Sequence, residues 1–186
     1  RHQGNKTRRL HVGRRLHGAA ESRRWWMKRE RSDVMENTFA FFGNAAVGGA
    51  VERLAANAGW QRVEGLEDVA AVVTYCTNQQ MLEDAYFDEG GLVQAVHPGT
   101  LLIDLSPSTP GFVRELSAVA MVSDLRPVEA PIAVVDPTWE DAFSRPDNLI
   151  CFVAGEEDAV ADAMPLLRAI AGEVLEEGPL GSAQLA

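Results

Sequence analysis

Apolar positions along this chain recur at two periods, one of strands and one of helices. Phe39 to Phe42 is a short apolar run closed by Gly43, and from Val47 to Ala58 apolar residues return at helical spacing until Gly59 stops them. That pattern predicts a strand, a tight turn and a helix. Further on, Val69 to Cys76 reads as a buried strand, Gln79 to Phe87 as a helix, and Thr100 to Asp104 as a second buried strand introduced by Pro98-Gly99. Pro110 opens a helix over Val113 to Met121, Pro127 to Pro131 is a short strand, and Leu149 to Val153 is a longer one. Glu156 to Ala171 is an amphipathic helix, and Glu173 to Glu177 closes as a strand. Strands alternating with helices imply βαβ units, hence an α/β fold with a parallel sheet and right-handed crossovers. There is no internal repeat.

Length and charge refine this picture. At 186 residues and 46% hydrophobic content the chain is sized for one α/β domain with its own core. It has no apolar run of the roughly 18 to 20 residues that span a bilayer and no apolar signal segment at its start, so it reads as a soluble, cytoplasmic protein. The net charge of −10 conceals two halves. Residues 1–34 hold eleven of the seventeen Lys and Arg against three acids, whereas 35–186 hold six against twenty-four. A basic arm is one signature of nucleic-acid or membrane contact, but this one has only Trp25 and Trp26 as aromatics and no periodic apolar face. Residues 1–34 are therefore expected to be a disordered extension, with Met35 a natural start for the folded part. The acidic domain would repel nucleic-acid phosphates. Cys76 and Cys151 each lie in an apolar strand pattern and are expected to be reduced core thiols, and no metal site is expected.

Gly43-Asn44-Ala45-Ala46-Val47-Gly48 occupies the strand-to-helix turn where a dinucleotide-binding fingerprint, G-x-G-x-x-G, belongs. The first glycine makes the turn, the third lets the helix lie close to the strand, and the second admits the pyrophosphate to the backbone. Ala45 stands in place of the second, the mildest replacement available. Other segments follow in order: Val72-Val73-Thr74-Tyr75-Cys76-Thr77-Asn78, Gly90-Gly91-Leu92, Gly99-Thr100-Leu101-Leu102-Ile103-Asp104-Leu105-Ser106, Glu129-Ala130-Pro131, Val153-Ala154-Gly155-Glu156-Glu157 and Gly178-Pro179-Leu180-Gly181-Ser182-Ala183-Gln184. Together they resemble the β-hydroxyacid dehydrogenases, the 3-hydroxyisobutyrate and tartronate-semialdehyde reductase family, over residues 39–186.

The resemblance implies a Rossmann-like NAD(P)-binding domain over residues 35–186. Its cofactor would be NAD or NADP, contacted by Gly43 to Gly48 and by Cys76 and Thr77, whose segment ends over the cofactor in the family. It also implies reversible hydride transfer with a small 3-hydroxy acid, a serine holding the substrate carboxylate and a lysine as acid/base. Ser106 matches the serine, and a strand-end hydroxyl capping the next helix is its other reading. The lysine would follow shortly after Gln184, but no lysine occurs after Lys28. The catalytic residue is thus unknown, and the chain reads as truncated before it.

Other departures concern the pocket. Ala133-Val134-Val135 stands where the family has S-G-G, and Pro107 where it has threonine after the serine. Only eight residues separate Trp60 from Val69, too few for the family's second strand and its helix. The sheet is therefore expected to be reduced on one side, with Phe39 to Phe42 at an exposed edge that invites homo-oligomerisation. Arg62 or Glu64 is left to stand in for the residue that reads the adenosine ribose. His97, on a loop before Pro98, is expected to face solvent. The expected function is an NAD(P)-binding oxidoreductase domain that binds cofactor weakly and is inactive until the missing domain is supplied. A non-catalytic interaction module of the same fold is the alternative.

Overall fold

A computed structural model describes residues 35–185, so the extension expected over 1–34 lies outside the described residues. The first strand, β1 (Met35–Gly43), carries a bulge where its pairing with β3 (Val69–Tyr75) slips between Met35 and Phe39. Asn37 adopts a positive φ of 56° within that bulge, a conformation asparagine tolerates better than most residues. After β1 comes helix α1 (Ala45–Ala56), and the two-residue strand β2 (Gln61–Arg62) lies parallel to β1, pairing Thr38 with Gln61 and Phe39 with Arg62.

The span expected to lack a second strand thus keeps a remnant of one. Val63 N–H donates to the Phe39 carbonyl at 2.9 Å, so β1 is covered at Thr38 and Phe39 rather than bare along its whole length. Two residues are too few to leave a periodic trace in sequence, which is why β2 went unread.

Helices α2 (Gln79–Phe87) and α3 (Leu92–Ala95) follow β3 and lead to β4 (Leu101–Asp104), then α4 (Pro110–Ser123) and β5 (Arg126–Glu129). Strands β1, β3, β4 and β5 are parallel neighbours in that order. Beyond β5 the sheet is no longer parallel. β6 (Ile132–Val134) and β5 both run antiparallel to β7 (Leu149–Gly155), while β8 (Glu173–Gly178) runs parallel to β7 on its other side, after helix α5 (Glu157–Ile170). Val134, one of the two valines that stand where the family has glycines, closes β6, as its strand propensity favours, while Val135 lies just beyond it.

Alternate residues of each central strand feed two cores. Phe39, Ala71, Val73, Leu101 and Ile103 face α1 and α5, packing with Val47, Val51, Leu167 and Ile170. Ala40, Val72 and Leu102 face α2 and α4, packing with Leu82, Tyr86, Phe112 and Leu116. Burial on both faces is what makes these strands read as continuous apolar runs. It also outweighs the cost of Pro165 inside α5, whose apolar face is buried from Ala159 to Ile170.

Both cysteines are free and buried. Burial pushes the Cys151 thiol up to about 12 and raises that of Cys76, to which the nearby Asp104 carboxylate adds. Neither thiol is expected to react with a disulfide reagent such as DTNB at pH 8 in native protein, and both should react in urea. One fast-reacting equivalent without denaturant would contradict this packing.

Candidate functional site

The parallel strands end in a common row. Phe42, Thr74, Asp104 and Glu129 are register partners across β1, β3, β4 and β5, each at or next to its strand's carboxyl end. In open α/β sheets this is the end at which ligands bind.

At the edge of the row β1 turns sharply into α1. Gly43 has φ +128°, and a Cβ there would stand 2.0 Å from the Tyr75 carbonyl oxygen. At Gly48 a Cβ would meet the Phe41 ring at 2.7 Å, so this glycine lets helix and strand lie close. The first and third glycines of the motif therefore do what the fingerprint requires of them. Ala45 and Ala46 are exposed. Asn44 caps α1: its Oδ1 accepts from Ala46 N–H at 3.0 Å and Val47 N–H at 3.1 Å, while its own N–H donates to the Tyr75 carbonyl at 3.0 Å.

Beside this turn, α1 and the loop between β6 and β7 enclose a hollow of about 540 Å³, lined by Ala45, Ala46, Gly49, Trp139, Glu140 and Asp141. The loop is fastened at several points. Asn148 is buried and exchanges hydrogen bonds with the Asp136 backbone, Ser144 Oγ accepts from Arg53 at 2.9 Å, and Phe143 meets the Tyr75 ring edge-on at 5.2 Å. Arg145 stacks over Trp139 at 4.3 Å and pairs with Asp141 at 3.2 Å.

The floor of the crevice is a buried polar chain. Thr74 Oγ1 lies 3.0 Å from the Tyr86 hydroxyl and donates to Asp104 Oδ1 at 3.0 Å; Ser106 N–H donates to the same oxygen at 3.0 Å. Ser106 Oγ in turn accepts from Cys76 N–H at 2.8 Å. Burial drives the Asp104 carboxyl up to about 6, against the hydrogen bonds from Ser106 and Thr74 that favour its charged form. Tyr86 is raised well above its ordinary value by burial.

Glu129 closes the far end. Its Oε1 accepts from Gly181 N–H at 2.7 Å, while Gln184 Oε1 accepts from Ser108 N–H at 3.0 Å, so the segment after β8 is tied over β5 and the start of α4. Burial raises the Glu129 pKa, and the amides of Gly181, Ala183 and Gln184 oppose the shift. Ser108 Oγ, Glu129 Oε2 and Gln184 Nε2 are buried together at this closure.

The expected site residues fall into two groups. Gly43, Asn44, Ala45 and Ala46 lie at the open turn, with Val47 and Gly48 buried just behind them, and Thr77 is exposed beyond β3. Cys76 is buried, and Ser106 is wholly buried with its hydroxyl engaged. Thr109, not Ser106, caps α4, its Oγ1 accepting from Phe112 N–H at 3.2 Å. Arg62 lies over the Phe41 ring at 5.4 Å and pairs with Glu52 at 3.4 Å; Glu64 and His97 are exposed. Thr74, Tyr86, Asp104 and Glu129 carried no role in the sequence reading. The signal was a polar residue ending an apolar run, repeated in three strands.

A parallel sheet with a glycine turn at its carboxyl end defines a dinucleotide-binding domain. Residues 36–178 match the family described as the NAD-binding domain of 6-phosphogluconate dehydrogenase, and the chain belongs to that family. It is 28% identical over 144 residues to an NAD-dependent L-serine dehydrogenase of Pseudomonas aeruginosa, an alignment covering 77% of this chain and 44% of the relative. It is 29% identical over 134 residues to the human mitochondrial 3-hydroxyisobutyrate dehydrogenase, covering 70% of this chain and 38% of that protein. The chain thus spans less than half the length of these relatives. Among solved structures, Mycobacterium tuberculosis 3-hydroxyisobutyrate dehydrogenase with L-serine superposes with a TM-score of 0.69 at 21% identity, over 81% of this chain and 57% of that one. An imine reductase variant from Myxococcus stipitatus with NAD+ gives 0.65 at 14% identity, over 81% and 58%. These likenesses show the fold. Among the described residues no helix is long and apolar enough to cross a membrane.

Proposed function

We propose that residues 35–185 are the cofactor-holding half of an NAD(P)-dependent oxidoreductase acting on a small 3-hydroxy acid, and that the group moving the substrate proton comes from outside this stretch. The turn at Gly43 to Gly48 carries this reading, because both of its glycines are sterically required and its exposed first helical turn opens toward the carboxyl ends of the strands. The fit to a dinucleotide is good in shape: the Ala45 to Val47 amides and the positive end of α1 would hold phosphate. Cys76 and Thr77, at the end of β3, would border the cofactor. A nicotinamide group, when bound, supplies the chemistry of accepting or giving a hydride. The chain's own part is to bind, to orient and, through the buried floor beneath, to keep water out.

Ser106 is assigned a positioning role. Its hydroxyl ties the end of β3 to the end of β4 through Cys76 N–H and so shapes the crevice floor. No titratable side chain in this stretch is placed to move a substrate proton. His97 is exposed on the loop before β4, there is no lysine, and Asp104 is 4% exposed beneath the floor. A positioned acid/base contributes about 10²- to 10⁴-fold.

The chain is therefore expected to bind NADH or NADPH no tighter than high micromolar by fluorescence titration, with no turnover above background on a panel of 3-hydroxy acids. Clear turnover on any of them would overturn the inactivity and show that a residue of this stretch moves the proton. The second reading, a non-catalytic module that pairs copies through a sheet edge, is favoured by the β1 stretch beyond Phe39 that β2 does not reach. Sedimentation showing a dimer with no cofactor binding would favour it.

A further inference from the structure

We infer that Asn44 is an internal competitor for the cofactor's phosphate, occupying with its own side chain the amides the phosphate needs. The inference rests on the dinucleotide reading above. Of the α1 first-turn amides, Ala46 and Val47 donate to Asn44 Oδ1 at 3.0 and 3.1 Å, and Gly48 donates to the Asn44 carbonyl at 2.9 Å. Ala45 is left as the one first-turn N–H without a hydrogen bond among the described residues. The cap is thus already made when no ligand is present. A phosphate can take Ala46 and Val47 only after the carboxamide has rotated away.

The arrangement allows that rotation. Asn44 is exposed, with backbone angles of φ −59° and ψ 123° that any residue adopts, so nothing in the backbone requires an asparagine. Glu140 and Asp141 line the same hollow as Ala45 and Ala46, but Arg53 lines it too and Asp141 is paired with Arg145 at 3.2 Å, so the opposing charges there offset one another and the cap is what stands against an arriving anion. The Asn44 cap therefore weighs against phosphate, while the glycines that make the site remain. The competitor does not close the site, because hydrogen bonds to a charged group are stronger than those to a neutral carboxamide. It lowers affinity by the worth of the cap, a factor of roughly 3 to 30.

The test uses the full chain and two substitutions of opposite expected sign. Alanine adopts the Asn44 backbone angles and has no side-chain acceptor, so Asn44→Ala removes the competing oxygen, and the buried face of α1 keeps the helix folded. NADH fluorescence titration should give a dissociation constant about 3- to 30-fold lower for Asn44→Ala than for the parent, and a higher one for Asn44→Asp, whose carboxylate holds the amides more firmly. Inorganic pyrophosphate, read by thermal shift, should follow the same order without any nicotinamide. A merely structural cap would give a lower melting temperature for Asn44→Ala with binding no better than the parent's. Equal affinity in all three proteins would overturn the competitor while leaving the cofactor reading intact. Absence of NADH and pyrophosphate binding from all three would overturn both.

Discussion

Replacing Gly43 with alanine is expected to remove more than about 3 kcal/mol of stability, a large share of the roughly 5 to 15 kcal/mol that an ordinary domain has. Two costs combine. A φ of +128° is unfavourable for any residue with a side chain, and the new methyl would sit 2.0 Å from the Tyr75 carbonyl oxygen, closer than atoms can approach. That carbonyl also accepts from Asn44 N–H at 3.0 Å, so relief by moving β3 away breaks the bond that fixes the turn. Gly65→Ala is the control. Nothing lies within 4 Å of a Cβ there, and the change should stay within about 0.5 kcal/mol. Urea denaturation of the three proteins makes the measurement, and a Gly43→Ala loss no larger than that of Gly65→Ala would mean the strand-to-helix turn is not built as described.

Most of the architecture was legible because burial on both faces leaves a plain mark. Gln79–Phe87 is read to the residue; β3 and β7 start and β4 ends where expected, and the other bounds of β3, β4, β7, α4 and α5 lie within about three positions of expectation. What escaped has physical causes. β2 is too short to show a period, and the antiparallel pairing of β7 with β5 depends on a long loop whose path no local pattern encodes. The polar floor was hidden differently. Thr74, Asp104 and Glu129 each end an apolar run, and only the register of three parallel strands sets them side by side. Pairing register is a property of the sheet, so three separate stretches of sequence do not announce it. Ser106 was legible as a special residue through its neighbours, but its direction was not. Whether a strand-end hydroxyl faces the crevice or the adjacent strand is decided by the Cys76 amide across the gap.

The buried floor should also make stability depend on pH in the direction opposite to that of an ordinary ion-paired carboxylate. Asp104 has its carboxyl raised from 3.8 to about 6, chiefly because burial disfavours the charged form, with Glu129 adding to the rise. Between about pH 4 and pH 6 the unfolded chain has lost this proton while the folded chain keeps it. Fewer protons are then bound by the unfolded state, so raising the pH through this window weakens folding. Above about pH 6 both states are charged and the loss is complete. The size of the shift corresponds to about 3 kcal/mol. The hydrogen bonds from Thr74 and Ser106 are why the group still ionises at all instead of staying neutral at every physiological pH. Asp104→Asn removes the titration but keeps an oxygen for both donors. The exposed carboxylates add slopes of their own, so the informative quantity is the difference between variant and parent. Measured by urea denaturation at pH 4, 5 and 7, that difference should move by about 2 to 3 kcal/mol in favour of Asp104→Asn as pH rises. A difference that stays constant across the three conditions would show that Asp104 is charged throughout, and that its partners stabilise the carboxylate more than burial opposes it.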